Sequence, residues 1–128
     1  MQFARRVFHI AGIYGLVVLL PQYFMEQRLG VDYPPPLNHP EHFYGFLGVA
    51  AAWQVAFLIV SRDPARYRLI IIPGVLEKAS FGFATIALFF QGRLARTIMA
   101  FGIVDLIWAA MFLMAFVKVG REAPRNDA

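Results

Sequence analysis

Apolar residues in this chain fall into long blocks separated by short polar stretches, with no sustained period of two. The blocks cover residues 7–27, 40–60, 64–91 and 97–118. Each is long enough to cross ~30 Å of hydrocarbon as an α-helix rising ~1.5 Å per residue. A membrane strand would instead alternate apolar and polar positions over about ten residues. The pattern therefore predicts an all-α chain, with residues 1–128 forming one domain of four transmembrane spans. Short links favour antiparallel neighbours, so the expected architecture is an integral membrane antiparallel four-helix bundle.

Local signals place the span ends. His39 reads as an N-cap, with Pro40 at the first helical position and Glu41 in the first turn. Asp63-Pro64 has the same form and is expected to start the third span. Between the first two spans, Pro34-Pro35-Pro36 favours an extended, stiff path. Gly120 is placed to close the last helix. Small residues recur at Ala11 and Gly15, at Gly45, Gly48 and Ala52, and at Gly74 and Gly82, where they allow close helix approach within the bundle or at a dimer face.

Composition supports the membrane reading: 59% of residues are hydrophobic and 16% charged. Soluble domains average ~45–50% and ~25%. A cytoplasmic enzyme, a nucleic-acid-binding module and a secreted scaffold are excluded on this ground. The net charge of +4 comes from basic residues set singly or in small groups between apolar blocks. Nucleic acid, which needs a continuous basic patch, is therefore not an expected partner. With no cysteine there is no disulfide, thiolate nucleophile or thiolate metal site.

The basic residues set the orientation. Arg5, Arg6, Arg62, Arg66, Arg68, Lys118, Arg121 and Arg125 lie on one side, and Arg28, Arg93 and Arg96 on the other. The richer side should be cytoplasmic, which puts both termini inside. Arg5-Arg6-Val7-Phe8 has the form of a twin-arginine export signal. The apolar run leads, however, into Gln22-Tyr23-Phe24-Met25-Glu26-Gln27, which offers no small-residue cleavage site. The first span is expected to stay as an uncleaved anchor.

Gln54, Glu77, Lys78 and Asp105 lie inside these spans. An isolated charge at the bilayer centre costs ~2.5–3.5 kcal/mol or more, so these groups need partners or water. Counting from Arg62, Arg68 and Arg96 at the interfaces puts all four within about one helical turn of one plane near mid-membrane. Neighbours on a helix point ~100° apart, so Glu77 and Lys78 are expected to turn away from each other. One arrangement fits depth and direction: Glu77 toward Gln54, and Lys78 paired with Asp105. Trp53 and Trp108 sit at the same level, where an indole beside a carboxylate suits an ammonium group. Pro73-Gly74, one turn before Glu77, is expected to kink the helix and free a carbonyl.

Other constellations point to less. His39 and His42 flank Glu41 and could hold a metal at the outer surface, but capping accounts for His39 and no further ligand follows in the sequence. His9 is too shallow to meet Glu77 directly. Ser80 has no histidine at its depth to activate it, and no phosphate-binding glycine loop is present.

Four spans with inside termini, and Tyr44-Gly45-Phe46-Leu47-Gly48 opening the second span, resemble the small DoxX-like bacterial membrane proteins. That resemblance implies the cell inner membrane and a place in a redox-linked complex. It transfers no catalytic residue. An acid with tryptophan at mid-membrane is also similar in logic to sterol-isomerase-like bundles, which bind cationic amphiphiles.

The expected role is non-catalytic. It is binding of a hydrophobic or cationic small molecule, or of a membrane partner, at the level of Gln54, Glu77, Lys78, Asp105, Trp53 and Trp108. No cofactor and no metal are expected. The lipid bilayer is the first partner, and a homodimer or larger membrane complex suits the small-residue faces. Three alternatives remain at this point: a proton-coupled transporter with Glu77 as the exchanging acid, an enzyme on a lipid-soluble substrate using Glu77 or Asp105 as acid/base, and an accessory subunit with a structural polar cluster.

Overall fold

The computed structural model describes residues 1–124. Arg125, one of the basic residues counted above, lies outside the described residues. Among those described there is helix and no strand. Helix α1 runs Gln2–Leu19 and continues as a 3-10 turn over Leu20–Phe24. A short α2, Glu26–Asp32, follows. Then come α3, Pro40–Arg62, α4, Ile71–Phe90, entered through a 3-10 turn at Arg68–Ile70, and α5, Arg96–Glu122. Four helical stretches are long and apolar enough to cross a membrane: Gln2–Phe24, Pro40–Arg62, Arg68–Phe90 and Arg96–Glu122.

Several local expectations are corrected. The first helix begins at Gln2 rather than residue 7. It tightens after Leu19 because Pro21 has no N–H to give the preceding turn, and the Gln22 amide donates to the Val18 carbonyl at 3.0 Å. The link after it is not extended throughout, since residues 26–32 form α2. The Tyr44 hydroxyl ties this helix to α3 by donating to Glu26 Oε2 at 2.8 Å.

Pro64 does not start a helix. The Asp63 carboxylate accepts the Arg66 N–H at 3.2 Å, which holds 63–66 in a turn and delays α4 to Ile71. Pro73 therefore falls in the first turn of α4 rather than in its interior, and its missing N–H has no duty within that helix. Gly120 does not close α5, which continues to Glu122. Its missing side chain instead makes room for the Arg68 guanidinium. The stop in α4 belongs to Gly92, whose φ of 70° suits the left-handed residue after a helix end.

Helix α1 packs along α3, α4 packs along α5, and α1 also touches α5, while α3 and α4 meet over only a short stretch. Phe8, Phe57 and Phe112 from α1, α3 and α5 are fully buried. The Phe8 and Phe112 rings stack at 4.3 Å, with Phe57 edge-on to Phe112 at 4.9 Å. At one end of the molecule the Met1 amino group pairs with Glu122, and Arg5 donates to the Arg62 carbonyl. Arg68 donates to the Phe116 carbonyl at 3.0 Å, with its guanidinium 3.9 Å over the Phe116 ring. The start of α1, the end of α3, the entry to α4 and the end of α5 thus meet there.

A third or less of each apolar stretch is buried within the chain. Large side chains such as Val17, Leu69, Leu76, Phe83 and Phe90 face outward.

Candidate functional site

The wide separation of α3 and α4 leaves a cleft of about 1320 Å³, bounded by α1 through α5. Its mouth lies at the α2 end, where Gln22, Met25, Arg28, Asp32 and Tyr33 line it. Arg28 and Asp32, one turn apart on α2, lie 3.6 Å from each other. The walls are mostly apolar and include Phe46 and Val49 of α3, Leu76 and Phe81 of α4, and Phe101 of α5. Phe46, Val49 and Leu76 are themselves exposed, so the cleft also opens sideways between α3 and α4. Phe57, fully buried below the cleft with Phe8 and Phe112, closes its inner end.

The floor holds the polar cluster. Gln54, Glu77, Lys78 and Asp105 all line the cleft. Lys78 is 3% exposed, and its Nζ lies 3.5 Å from Asp105 Oδ1. The same ammonium is 3.4 Å from Gln54 Oε1 and 5.5 Å from the centre of the Phe57 ring. Gln54 is buried, and its amide donates to the Ala50 carbonyl at 2.9 Å and reaches Glu77 Oε1 at 3.5 Å. The Lys78–Asp105 and Glu77–Gln54 proximities follow the depth and direction of the sequence argument. One expectation fails: Lys78 Nζ is also 3.7 Å from Glu77 Oε2. The ~100° offset between neighbours fixes their Cβ directions, but the flexible four-carbon stem of lysine brings its ammonium back between the two carboxylates.

Two carboxylates therefore share one ammonium. Glu77 Oε2 is buried without a hydrogen-bond partner among the described residues. With all three groups ionised the floor carries one negative charge in excess, a charge complement for a cation.

Of the two tryptophans, Trp53 lines the cleft and Trp108 does not. Trp108 stands three residues beyond Asp105, which rotates it ~60° away from that carboxylate around the helix. Its ring faces Tyr14 at 6.0 Å and Phe112 at 6.4 Å, and its Nε1 is buried without a partner. Trp108 thus stands outside the cleft lining and packs against Tyr14, which does line it.

Sequence reasoning missed Tyr14 on α1 and the whole α2 rim, both of which line the cleft. Tyr14 carried a signal, a phenol next to Gly15 and about one helical turn from Ala11. The α2 rim carried none.

Small-residue packing is confirmed at some positions. A methyl group at Gly15 would run into Gln54, at Gly74 into Phe57, and at Gly82 into Leu106. At Gly45 it would meet nothing within 4 Å.

His39, Glu41 and His42 place their donor atoms within 4.8 Å of one another, all exposed. His39 makes no side-chain cap; its Nδ1 lies 3.1 Å from Glu41 Oε1. A cation held there would sit beside the positive end of the α3 dipole, which opposes it. His9 lies on the surface, away from Glu77, and lines a separate pocket with Arg5 and Arg6. Comparison of the chain with protein-family models, with characterised proteins and with solved structures finds no match in any of the three.

Proposed function

We propose that this chain is a multi-pass protein of the cell inner membrane that binds a cationic amphiphile in the cleft between α3 and α4. In this reading the four spans form an antiparallel bundle with both termini cytoplasmic. The contacts among Met1, Glu122, Arg62 and Arg68 at one end support the antiparallel arrangement. The basic residues at that end support a cytoplasmic placement. Extensive outward-facing apolar surface supports a lipid surrounding, since soluble monomers rarely expose so much. The resemblance to DoxX-like proteins points to the same membrane.

One observation carries the ligand class: two carboxylates share a single ammonium at the floor of an otherwise apolar cleft, and Glu77 Oε2, 3.7 Å from that ammonium, accepts no hydrogen bond among the described residues. Ligand sites for drug-sized molecules occupy about 300–1,000 Å³. A cleft of about 1320 Å³ has room for an alkyl or polycyclic body as well as a cationic head. The head would settle beside Glu77 and Asp105, with the Trp53 ring at the wall, and the body would lie along Phe46, Val49, Leu76 and Phe101. The phenylalanine plug below the floor favours binding from one side over passage through the bundle.

The test uses the Trp108→Phe variant in phosphatidylcholine nanodiscs, so that Trp53 is the only indole. A long-chain alkyltrimethylammonium should quench or shift its emission saturably, and the neutral alcohol of equal chain length should bind at least about tenfold more weakly. Glu77→Gln, which keeps the side-chain shape but cannot ionise, should remove that preference. Equal affinity for the cation and the alcohol, or a cation preference unchanged in Glu77→Gln, would overturn the proposal.

A further inference from the structure

At the end of the molecule opposite the cleft mouth, a second cavity of about 650 Å³ lies on the outer face of α1 and α3. Its upper part is basic and its lower part apolar. Arg5, Arg6, His9 and Arg62 surround the top, and Ile10, Ile13 and Leu58 form the rest of the wall. The concavity comes from local geometry. Arg5 donates to the last carbonyl of α3, that of Arg62, which clamps the two helix ends together. The Ser61 hydroxyl turns inward to the Leu58 carbonyl at 2.5 Å and leaves the surface above it clear.

Neither Arg6 nor Arg62 has a carboxylate within 4.0 Å among the described residues. Two free guanidiniums and a third held close by are thus gathered over an exposed apolar wall. Ile10 and Ile13 are 55% and 45% exposed, so the wall is open to an acyl chain. From Arg6 to Ile13 the helix rises about 10 Å, enough for the first eight or so carbons of an acyl chain.

The geometry points to a binding site for an anionic phospholipid of the inner leaflet. Its phosphate diester sits among Arg6, Arg62 and Arg5, and one acyl chain lies along Ile10, Ile13 and Leu58. A phosphate matches guanidinium in charge and in its paired oxygens. Free phosphate would meet the arginines alone, whereas a phospholipid meets the arginines and the adjoining apolar wall with one molecule. A zwitterionic lipid would bring its own cation into a pocket that already has three. The inference rests on the membrane placement proposed above but not on the cleft ligand.

The experiment is native mass spectrometry of the full chain in a neutral detergent, titrated with phosphatidylglycerol, phosphatidylcholine and inorganic phosphate. Phosphatidylglycerol should bind saturably, and phosphatidylcholine and inorganic phosphate should not. Each arginine near an anionic lipid contributes about a fivefold affinity gain, so Arg6→Gln/Arg62→Gln should weaken phosphatidylglycerol about 30-fold. The fold should survive, because Arg5 holds the Arg62 backbone and not its side chain. Arg93→Gln/Arg96→Gln, at the other end, should leave the affinity unchanged.

Equal binding of inorganic phosphate would make this a simple anion site and overturn the lipid assignment. Phosphatidylglycerol binding that survives Arg6→Gln/Arg62→Gln would overturn the site itself. Failure of the chain to insert into phosphatidylcholine vesicles would instead refute the membrane placement, a separate result.

Discussion

Removing the Lys78 ammonium should harm this protein far more than removing either carboxylate beside it. The asymmetry follows from the count of charges at the cleft floor. Lys78 Nζ stands 3.5 Å from Asp105 and 3.7 Å from Glu77, with no other cation lining the floor. Lys78→Met keeps the stem volume and leaves two adjacent carboxylates without a cation. Breaking a buried pair by removing one partner costs about 3–5 kcal/mol. Asp105→Asn is different, because Lys78 keeps Glu77 and the Gln54 carbonyl oxygen at 3.4 Å. It loses one charge-assisted contact near the limit of hydrogen-bonding distance, about 1–2 kcal/mol. The expected gap of about 2 kcal/mol is roughly a 30-fold difference in the unfolding equilibrium constant. Reversible unfolding in mixed micelles, followed by circular dichroism, measures it. The combination Glu77→Gln/Lys78→Met/Asp105→Asn, which has no charge left at the floor, should recover most of the Lys78→Met loss. Equal losses in Lys78→Met and Asp105→Asn, or a triple variant no more stable than Lys78→Met, would show that the ammonium is not shared as described.

The polar cluster was legible because it needs only two regularities. Rise per residue fixes depth once an interfacial arginine is chosen, and Arg62, Arg68 and Arg96 provided three such marks. Depth alone placed Gln54, Glu77, Lys78 and Asp105 near one plane, and they line one cleft. What failed was finer than a helical turn. Trp108 was grouped with Asp105 by level, and the ~60° between them around the helix leaves its ring packed on Tyr14 and Phe112 outside the cleft lining. Lys78 reached Glu77 because stem flexibility overrides Cβ direction.

Tertiary contacts explain the other differences. Residues 26–32 have too short an apolar pattern to announce a helix, and α2 is held by Tyr44, eighteen positions from Glu26. Asp63-Pro64 carries a sound local start signal, yet the chain spends 64–67 on a turn that brings Arg68 onto Phe116. A cap is worth about 1 kcal/mol, which a guanidinium bonded to a helix carbonyl and stacked on a ring can match. The width of the α3–α4 gap, and with it the cleft, depends on such packing and left no mark in the sequence.

Three further predictions test separate parts of this account. Single cysteines in an otherwise cysteine-free chain should report the proposed topology: Pro35→Cys labelled only from outside the cell, Ala65→Cys only from the cytoplasm. The reverse pattern would invert the bundle. Gly102→Ala, whose new methyl would run into Thr85, should cost about 1–3 kcal/mol in micelle unfolding, while Gly45→Ala, with open space around it, should stay within about 0.5 kcal/mol. Equal effects would mean that α4 and α5 do not approach as closely as Gly102 and Thr85 require. The last concerns α2, the rim of the cleft. Tyr44→Phe removes only a hydroxyl, and with it the 2.8 Å bond that ties Glu26 to α3, a contact worth about 0.5–1.5 kcal/mol. A seven-residue helix has little stability of its own, so a loss of that size should raise its local opening roughly two- to tenfold. Hydrogen exchange should therefore quicken over 26–32 and stay unchanged in the middle of α3 and α5. Because α2 supplies Arg28, Asp32 and Tyr33 to the mouth, release of a bound alkyltrimethylammonium should quicken in parallel. Unchanged exchange over 26–32 would show that something other than Tyr44 holds α2 in place, and faster exchange without faster release would show that the rim does not retain the ligand.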